Sequence, residues 1–325
     1  MVPLGGMALQ TFSSGHRPDG EFTRKLMSAV YHKNRRDRMV SSAGVWDKAR
    51  LEVTAAPHSG AWLDALPICA LDTQLSNAEI QYGVGRRLGV ELCEQAPCPL
   101  CLGVLDKWGA HCESCMSGGD KTVTHHKIRD DLYLQARKAR TAPQHEVVGI
   151  ARLLGLEVGR ETQERPADVL LCRAQDIRTG GSAGAGKVAL DVGIVCPQAT
   201  CQLADASQES LGAAEKYVRA KCSRGDMERR CREVGVTFQP MIFESLGGVS
   251  AEAERVTKCL NKAVAVNTDI SEEVVATQFW HRVGVDLVRA NCRAFHRRLV
   301  SHGAEVLGAV GPLGGGGGLQ VVEGL

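Results

Sequence analysis

The stretch Gly180-Gly-Ser-Ala-Gly-Ala-Gly-Lys-Val-Ala-Leu-Asp-Val-Gly-Ile-Val195 decides how this chain folds. Gly181 to Lys187 has the spacing G-x-x-x-x-G-K of a nucleotide-binding loop. Such a loop needs backbone N–H groups to cradle phosphates, a lysine for the terminal phosphates and a following Ser or Thr for Mg²⁺. It must also open a helix, whose N-terminus supplies positive potential. Here Val188 stands at the Ser/Thr position, and Val188 to Val195 is β-branched and interrupted by Gly193. The segment reads as a flexible connection into a strand, which argues against an NTPase.

A second strand is expected at Ala167 to Cys172. If the two pair as an antiparallel hairpin with Leu171 opposite Val188, then Leu170 faces Ala189, Val169 faces Leu190 and Asp168 faces Asp191. Cross-strand Cβ atoms stand only ~4.5–5.5 Å apart, and like charges there repel. A divalent cation would turn that repulsion into binding, because hard cations prefer oxygen ligands.

The 325 residues are 44% hydrophobic and 23% charged, ordinary for a globular chain, with room for two domains. Aromatics are only 4%, too few for stacking platforms to dominate nucleic-acid binding. The net charge is +2, but Arg24 to Arg38, Lys127 to Arg140 and Arg289 to Arg298 are locally basic and could meet phosphates. The N-terminus lacks a secretory pattern, and no apolar run approaches the ~18 residues of a membrane span. The expectation is an intracellular protein whose 13 cysteines are thiols and metal ligands, not disulfides.

Along the chain, helices are expected near Phe22 to Arg38, from Ser76 or Asn77 to Leu88, over His125 to Arg140, over Gln144 to Leu154 and over about Gln208 to Cys222. Ser250 and Ser271 read as N-caps of two more helices, the second reaching Leu299. Further strands are expected at Leu156 to Gly159 and Val236 to Phe243, and the Gly-rich tail as low-complexity chain. The resulting division is a helical N-terminal region (1–90), a cysteine-rich module (91–118), an α/β core (119–249), C-terminal helices (250–303) and a tail (304–325).

In the cysteine-rich module, Cys98-x2-Cys101-x9-His111-x3-Cys115 supplies two ligand pairs for a tetrahedral, structural Zn²⁺. Cys93 and Cys112 lie close enough to compete. Cys115 is favoured because its spacing from His111 suits a short helical turn.

Taken together, Arg165-Pro-Ala-Asp168, Ala189-Leu-Asp191-Val, Glu215-Lys216-Tyr217, Phe238-Gln-Pro240, Glu244-Ser-Leu-Gly-Gly248, the Cys/His spacing, Gly60-Ala-Trp-Leu-Asp-Ala-Leu-Pro67 and Phe279-Trp280 resemble the zinc-knuckle and restriction-like endonuclease region of non-LTR retrotransposon polyproteins. The likeness spans roughly residues 55 to 300; the polymerase aspartates that normally lie upstream are absent. It implies a PD-(D/E)xK fold, an α/β mixed sheet flanked by helices, with Asp168 and Asp191 ligating Mg²⁺ or Mn²⁺. It also implies a nucleic-acid partner, DNA with element RNA as a further candidate, no membrane, and a nuclear setting in a eukaryote. The basic position of the motif falls at Gly193, so the catalytic lysine must come from the next helix: Lys216 is the natural match and Lys221 the reserve. Glu161 is a candidate additional acidic ligand. The Pro–Asp pair is split by Ala167, and the upstream basic-His-Asn element survives only as Thr124-His125-His126-Lys127. These departures leave a second reading, a degenerate, non-enzymatic fragment that binds nucleic acid through its zinc knuckle.

Overall fold

The computed structural model describes residues 20–147, 149, 166–174 and 186–300. The glycine-rich loop up to residue 185, the expected strand at 156–159, Glu161 and the tail lie outside the described residues. The described chain is mixed α/β. Its helices are α1 Gly20–Ser42, α2 Val45–Ala55, α3 Asn77–Leu88, α4 Ala110–Ser114, α5 Asp120–Lys138, α6 Leu203–Gln208, α7 Gly212–Ser223, α8 Met227–Glu233, α9 Ala251–Thr268 and α10 Glu272–Val300. Its strands are β1 Ala96–Pro97, β2 Val104–Leu105, β3 Pro143–Val147, β4 Ala167–Leu171, β5 Lys187–Val195 and β6 Val236–Glu244.

The main sheet has the order β3-β4-β5-β6, antiparallel except for the parallel β5–β6 pair. The hairpin register is the expected one: Val169 faces Leu190, Leu170 faces Ala189 and Leu171 faces Val188. Lys187 opens β5 and no helix follows it, so the loop-to-helix geometry of a nucleotide site is missing. Between β5 and β6 the chain crosses over through α6, α7 and α8. Pro240 lies in β6 opposite Asp191, tolerated because β6 ends the strand order and can spare a ladder N–H.

Side-chain alternation along β5 divides the core. Val188, Leu190, Val192 and Ile194 pack with Ile128 and Leu132 of α5, Val256 and Leu260 of α9, and Phe279 and Val283 of α10. The opposite face presents Ala189, Gly193 and Val195, and Asp191 shares it by the same alternation. Val195 and Ile242 there meet Ala213, Ala214 and Val218 of α7. Burying a Leu- or Val-sized side chain contributes ~1.5–3 kcal/mol, so the α5–α9–α10 layer is the main stabilising contact.

Several helix ends follow from their caps. Ser76 and Glu79 form a capping box at α3, with Ser76 Oγ accepting from Glu79 N and Glu79 Oε2 accepting from Ser76 N. Ser250 Oγ accepts from Ala253 N and Ser271 Oγ from Val274 N, as the sequence indicates.

Two expectations are corrected. Gln144 to Val147 is strand, not helix: β3 pairs with β4 from Pro143 opposite Leu171 to Val147 opposite Ala167. Pro143 lacks the N–H that a helix interior would use, and the exposed edge of β4 supplies partners for the extended chain. The helix expected over about Gln208 to Cys222 begins later, at Gly212, because Leu211 adopts a left-handed backbone (φ 66°) that separates it from α6.

Candidate active site and metal centre

The Cys/His cluster is assembled locally. Asp106 organises the turn: its Oδ1 accepts from Trp108 N and Ala110 N, and its Oδ2 accepts from His111 N at 2.6 Å. That fixes the start of α4 and aims His111 back toward the β1–β2 hairpin. Gly109, at φ 81°, takes a backbone conformation that side chains disfavour. One ligand atom each from Cys98, Cys101, His111 and Cys115 lies within 4.8 Å of the others. This cluster can hold a metal such as zinc, whose thiolate and imidazole bonds are ~2.0–2.3 Å long.

The competing thiols are excluded by packing. Cys112 is buried among Tyr82, Leu105, Cys292 and Phe295, and Cys93 rests on the edge of the same group. Burial also pushes the Cys112 thiol far up. Cys115 behaves differently: burial raises it, but Arg298 and a backbone hydrogen bond at Ser117 prevail and draw it below the ordinary thiol value. At Cys101 the Gly103 N–H favours the thiolate, and desolvation with the neighbouring Cys115 and Cys98 outweighs it.

Arg298 ties this module to α10. It is fully buried and donates to Asp120 Oδ2 at 3.0 Å, to Ala294 O at 2.7 Å and to Ser117 O at 3.2 Å. A second seam runs through Glu113 of α4. Its carboxylate accepts from Arg86 at 2.7 and 3.0 Å, from Tyr82 Oη at 2.9 Å and from Ser245 Oγ at 2.6 Å, all within the interior. Although burial opposes its charge, Arg86 and these hydrogen bonds hold the Glu113 carboxyl below its usual value. Sequence reading missed this network, because nothing in Arg86 or Glu113 taken alone marks them as partners.

The second site lies on the sheet. Asp168 of β4 and Asp191 of β5 come together as the hairpin register requires. Asp168 Oδ2 accepts from Val192 N at 2.7 Å and lies 3.2 Å from His125 Nε2. Asp191 Oδ1 accepts from Lys221 Nζ at 2.6 Å, and the same ammonium donates to Val192 O at 2.8 Å. Burial pushes the Asp191 carboxyl up to about 6 despite Lys221, with repulsion and hydrogen bonding from Asp168 adding to the rise. At Asp168 burial acts in the same direction, but His125, the Val192 N–H and Lys221 outweigh it and lower the carboxyl. The neighbours thus shift the two carboxyls in opposite directions.

The lysine at the pair is Lys221, not Lys216. Lys216 turns outward to Asp205 Oδ2 at 2.7 Å and Cys201 O at 3.2 Å. Both belong to α7, but the helical face toward β5 carries Tyr217 and Lys221, one turn apart. Gly193 explains how they fit: a Cβ there would come within 2.6 Å of Tyr217 Cε1 and 3.2 Å of Lys221 Cε. The absence of a side chain at the motif position makes the space through which the helix lysine reaches Asp191. His125 reaches Asp168 from α5, although the element around it departs from the expected pattern.

The basic stretches do not behave alike. Arg289, Arg297 and Arg298 pair with Asp72, Asp286 or Asp120, and Lys127 and Arg129 pair with Asp286, Asp130 and Glu146. These charges are spent within the fold. In α1, Lys33 pairs with Asp37 and Arg36 with Glu52, while Arg35 makes no ion pair among the described residues. No described helix is long and apolar enough to cross a membrane.

Set against known protein families, characterised proteins and solved structures, the chain gives no match to any of them.

Proposed function

We propose that this protein is a metal-dependent DNA endonuclease of retrotransposon type, with a PD-(D/E)xK-like core and an attached zinc knuckle. The observation that carries the reading is the convergence of Asp168, Asp191 and Lys221 on one point of the sheet. Two adjoining carboxylates form an all-oxygen donor set that suits a hard divalent cation. Asp168 and Asp191 would hold Mg²⁺ or Mn²⁺, whose chemistry there is to polarise a phosphate and acidify a water. Lys221 would orient the attacking water and offset charge on the phosphate as it is displaced. His125 and the Val192 N–H hold Asp168 in place and favour its charged form. Cys98, Cys101, His111 and Cys115 would hold a closed, structural zinc. Duplex DNA would be held largely through its phosphates.

A second reading is favoured by one feature of the same geometry. Lys221 and His125 already engage one oxygen of each carboxylate, as they would in a relic that keeps its fold without its chemistry. Nicking of supercoiled plasmid with Mg²⁺ or Mn²⁺, with the Asp191→Ala variant alongside, separates the two. Nicking that the substitution abolishes supports the enzyme; folded, zinc-loaded protein that never nicks supports the relic.

A further inference from the structure

An open cleft of about 890 Å³ shares no residue with either site. Its volume lies within the ~300–1,000 Å³ common for ligand sites. One wall is the segment from His58 to Asp64; the others are α9 and the first half of α10. The His58 ring lies flat on Trp280, with centroids 3.9 Å apart and planes inclined by 12°, and its Nε2 sits 2.7 Å from Glu254 Oε2. His58 holds a left-handed backbone at φ 65°, a conformation uncommon outside glycine. Arg87 secures it from behind, donating to Ser59 O at 2.7 Å and Thr54 O at 3.1 Å. The wall is therefore fixed by the surrounding structure before any ligand arrives.

Two further observations specify what would bind. Asn261 lines the cleft and is only 2% exposed. Its Oδ1 accepts from Gln135 Nε2 at 2.7 Å, which leaves its Nδ2 without a hydrogen-bond partner among the described residues. Unlike the fully enclosed polar groups that lack a partner, this N–H keeps access to the cleft, where the acceptor of a ligand would meet it. Around it stand Asp64, Glu254, Glu272 and Glu273 against the single lysine Lys258. Asp64, Glu272 and Glu273 have no ion pair among the described residues, in a protein whose other acids are widely paired.

From this geometry we infer that the cleft binds a basic peptide segment of a partner protein, with lysine or arginine side chains on the carboxylates and a backbone carbonyl on Asn261. Ala61, Ala276 and the Trp280 edge would cover the aliphatic stems of those side chains. A metal ion would use the carboxylates but not the apolar wall, and a polyamine would leave the Asn261 amide without an acceptor. A peptide satisfies all three features. This assignment stands whether or not the carboxylate pair on the sheet is catalytic.

The test is calorimetric titration of the full chain with a blocked Arg-Gly-Lys tripeptide, with spermidine and with Mg²⁺, at low and at physiological salt. Circular dichroism of every variant serves as the folding control. The peptide should saturate one site and bind ~2- to 10-fold tighter than spermidine, the range of one additional hydrogen bond. Asp64→Asn combined with Glu273→Gln, both at the accessible rim, should weaken the peptide ~10-fold or more while leaving the spectrum unchanged. The inference is overturned if the peptide does not saturate, if spermidine or Mg²⁺ binds equally well, or if the double variant binds like the parent.

Discussion

The ligand atoms of Cys98, Cys101, His111 and Cys115 are gathered by one short excursion of the chain, a hairpin and a turn of helix. Asp168, Asp191, Lys221 and His125 come from two strands and two helices that are distant in sequence. The first cluster needs only local turns to exist; the second exists only if the whole sheet and its crossover are in place. Spacing alone therefore describes the first, while the second depends on a register and on which face of α7 meets β5. Loss of ligands should loosen the first region locally, whereas loss of packing should disperse the second.

The largest effect that could break this contrast is metal removal. Elemental analysis should give one zinc per chain, and Cys98→Ser should lose it, because structural zinc sites contribute ~10–16 kcal/mol of apparent binding energy. Chelation should release exchange protection over 96–117 while β4 and β5 remain protected. Simultaneous loss of protection in both regions would show that the cluster is not locally autonomous.

Next in size is the seam between the two regions. Arg86→Met leaves the Glu113 carboxylate buried without its cation, with an expected cost of ~3–5 kcal/mol in chemical unfolding. A loss below about 1 kcal/mol would mean that water replaces the guanidinium.

The two lysines of α7 sharpen the account of the carboxylate site. Lys221→Met should reduce nicking ~10²-fold or more, as for removal of a group that stabilises developing charge. Lys216→Met should change it by less than about threefold, since Lys216 forms only a half-exposed pair with Asp205. The reverse order would restore the helix match expected from the sequence.

A smaller effect concerns the α5–α10 seam, which joins the helix of His125 to the helix of Arg298. Burial and the neighbouring Asp286 carboxyl push Asp131 up to about 8, against Lys127 and Arg282. The folded protein keeps a proton there that the unfolded chain releases near 3.8. This contribution is fully present below about pH 4, declines as pH rises toward about 8, and is constant beyond. Asp131→Asn should flatten that decline, raising the melting temperature at pH 8 relative to pH 5 by on the order of 5 °C. Parallel pH profiles of parent and variant would show that the acid pair is not protonated.

Much of this was legible in the residues themselves. The strands at Ala167 and Val188, their register, the caps Ser76, Ser250 and Ser271, and the four-ligand spacing all follow from alternation, local hydrogen bonding or loop length. The departures share a cause. Val147, Val148, Ala151 and Leu154 satisfy a helical period, but β4 had an edge to fill, and pairing decided the outcome for Pro143 to Val147. Lys216 matched by position, yet helix rotation is set by packing, and Gly193 opposite Tyr217 and Lys221 selects the other lysine. The basic stretches near Lys127 and Arg289 looked like phosphate contacts because charge is visible in sequence and ion-pair partners are not.

The most direct measurement is the rate of nicking of supercoiled plasmid in Mg²⁺ or Mn²⁺ by the parent, Asp168→Asn and Asp191→Asn. Zinc content and circular dichroism should be matched across the three. Activity in the parent that falls ~10³-fold in each variant is the predicted result, because each substitution removes one anionic ligand while keeping the side-chain shape. Equal activity in all three, or none in a folded, zinc-loaded parent, would contradict the account.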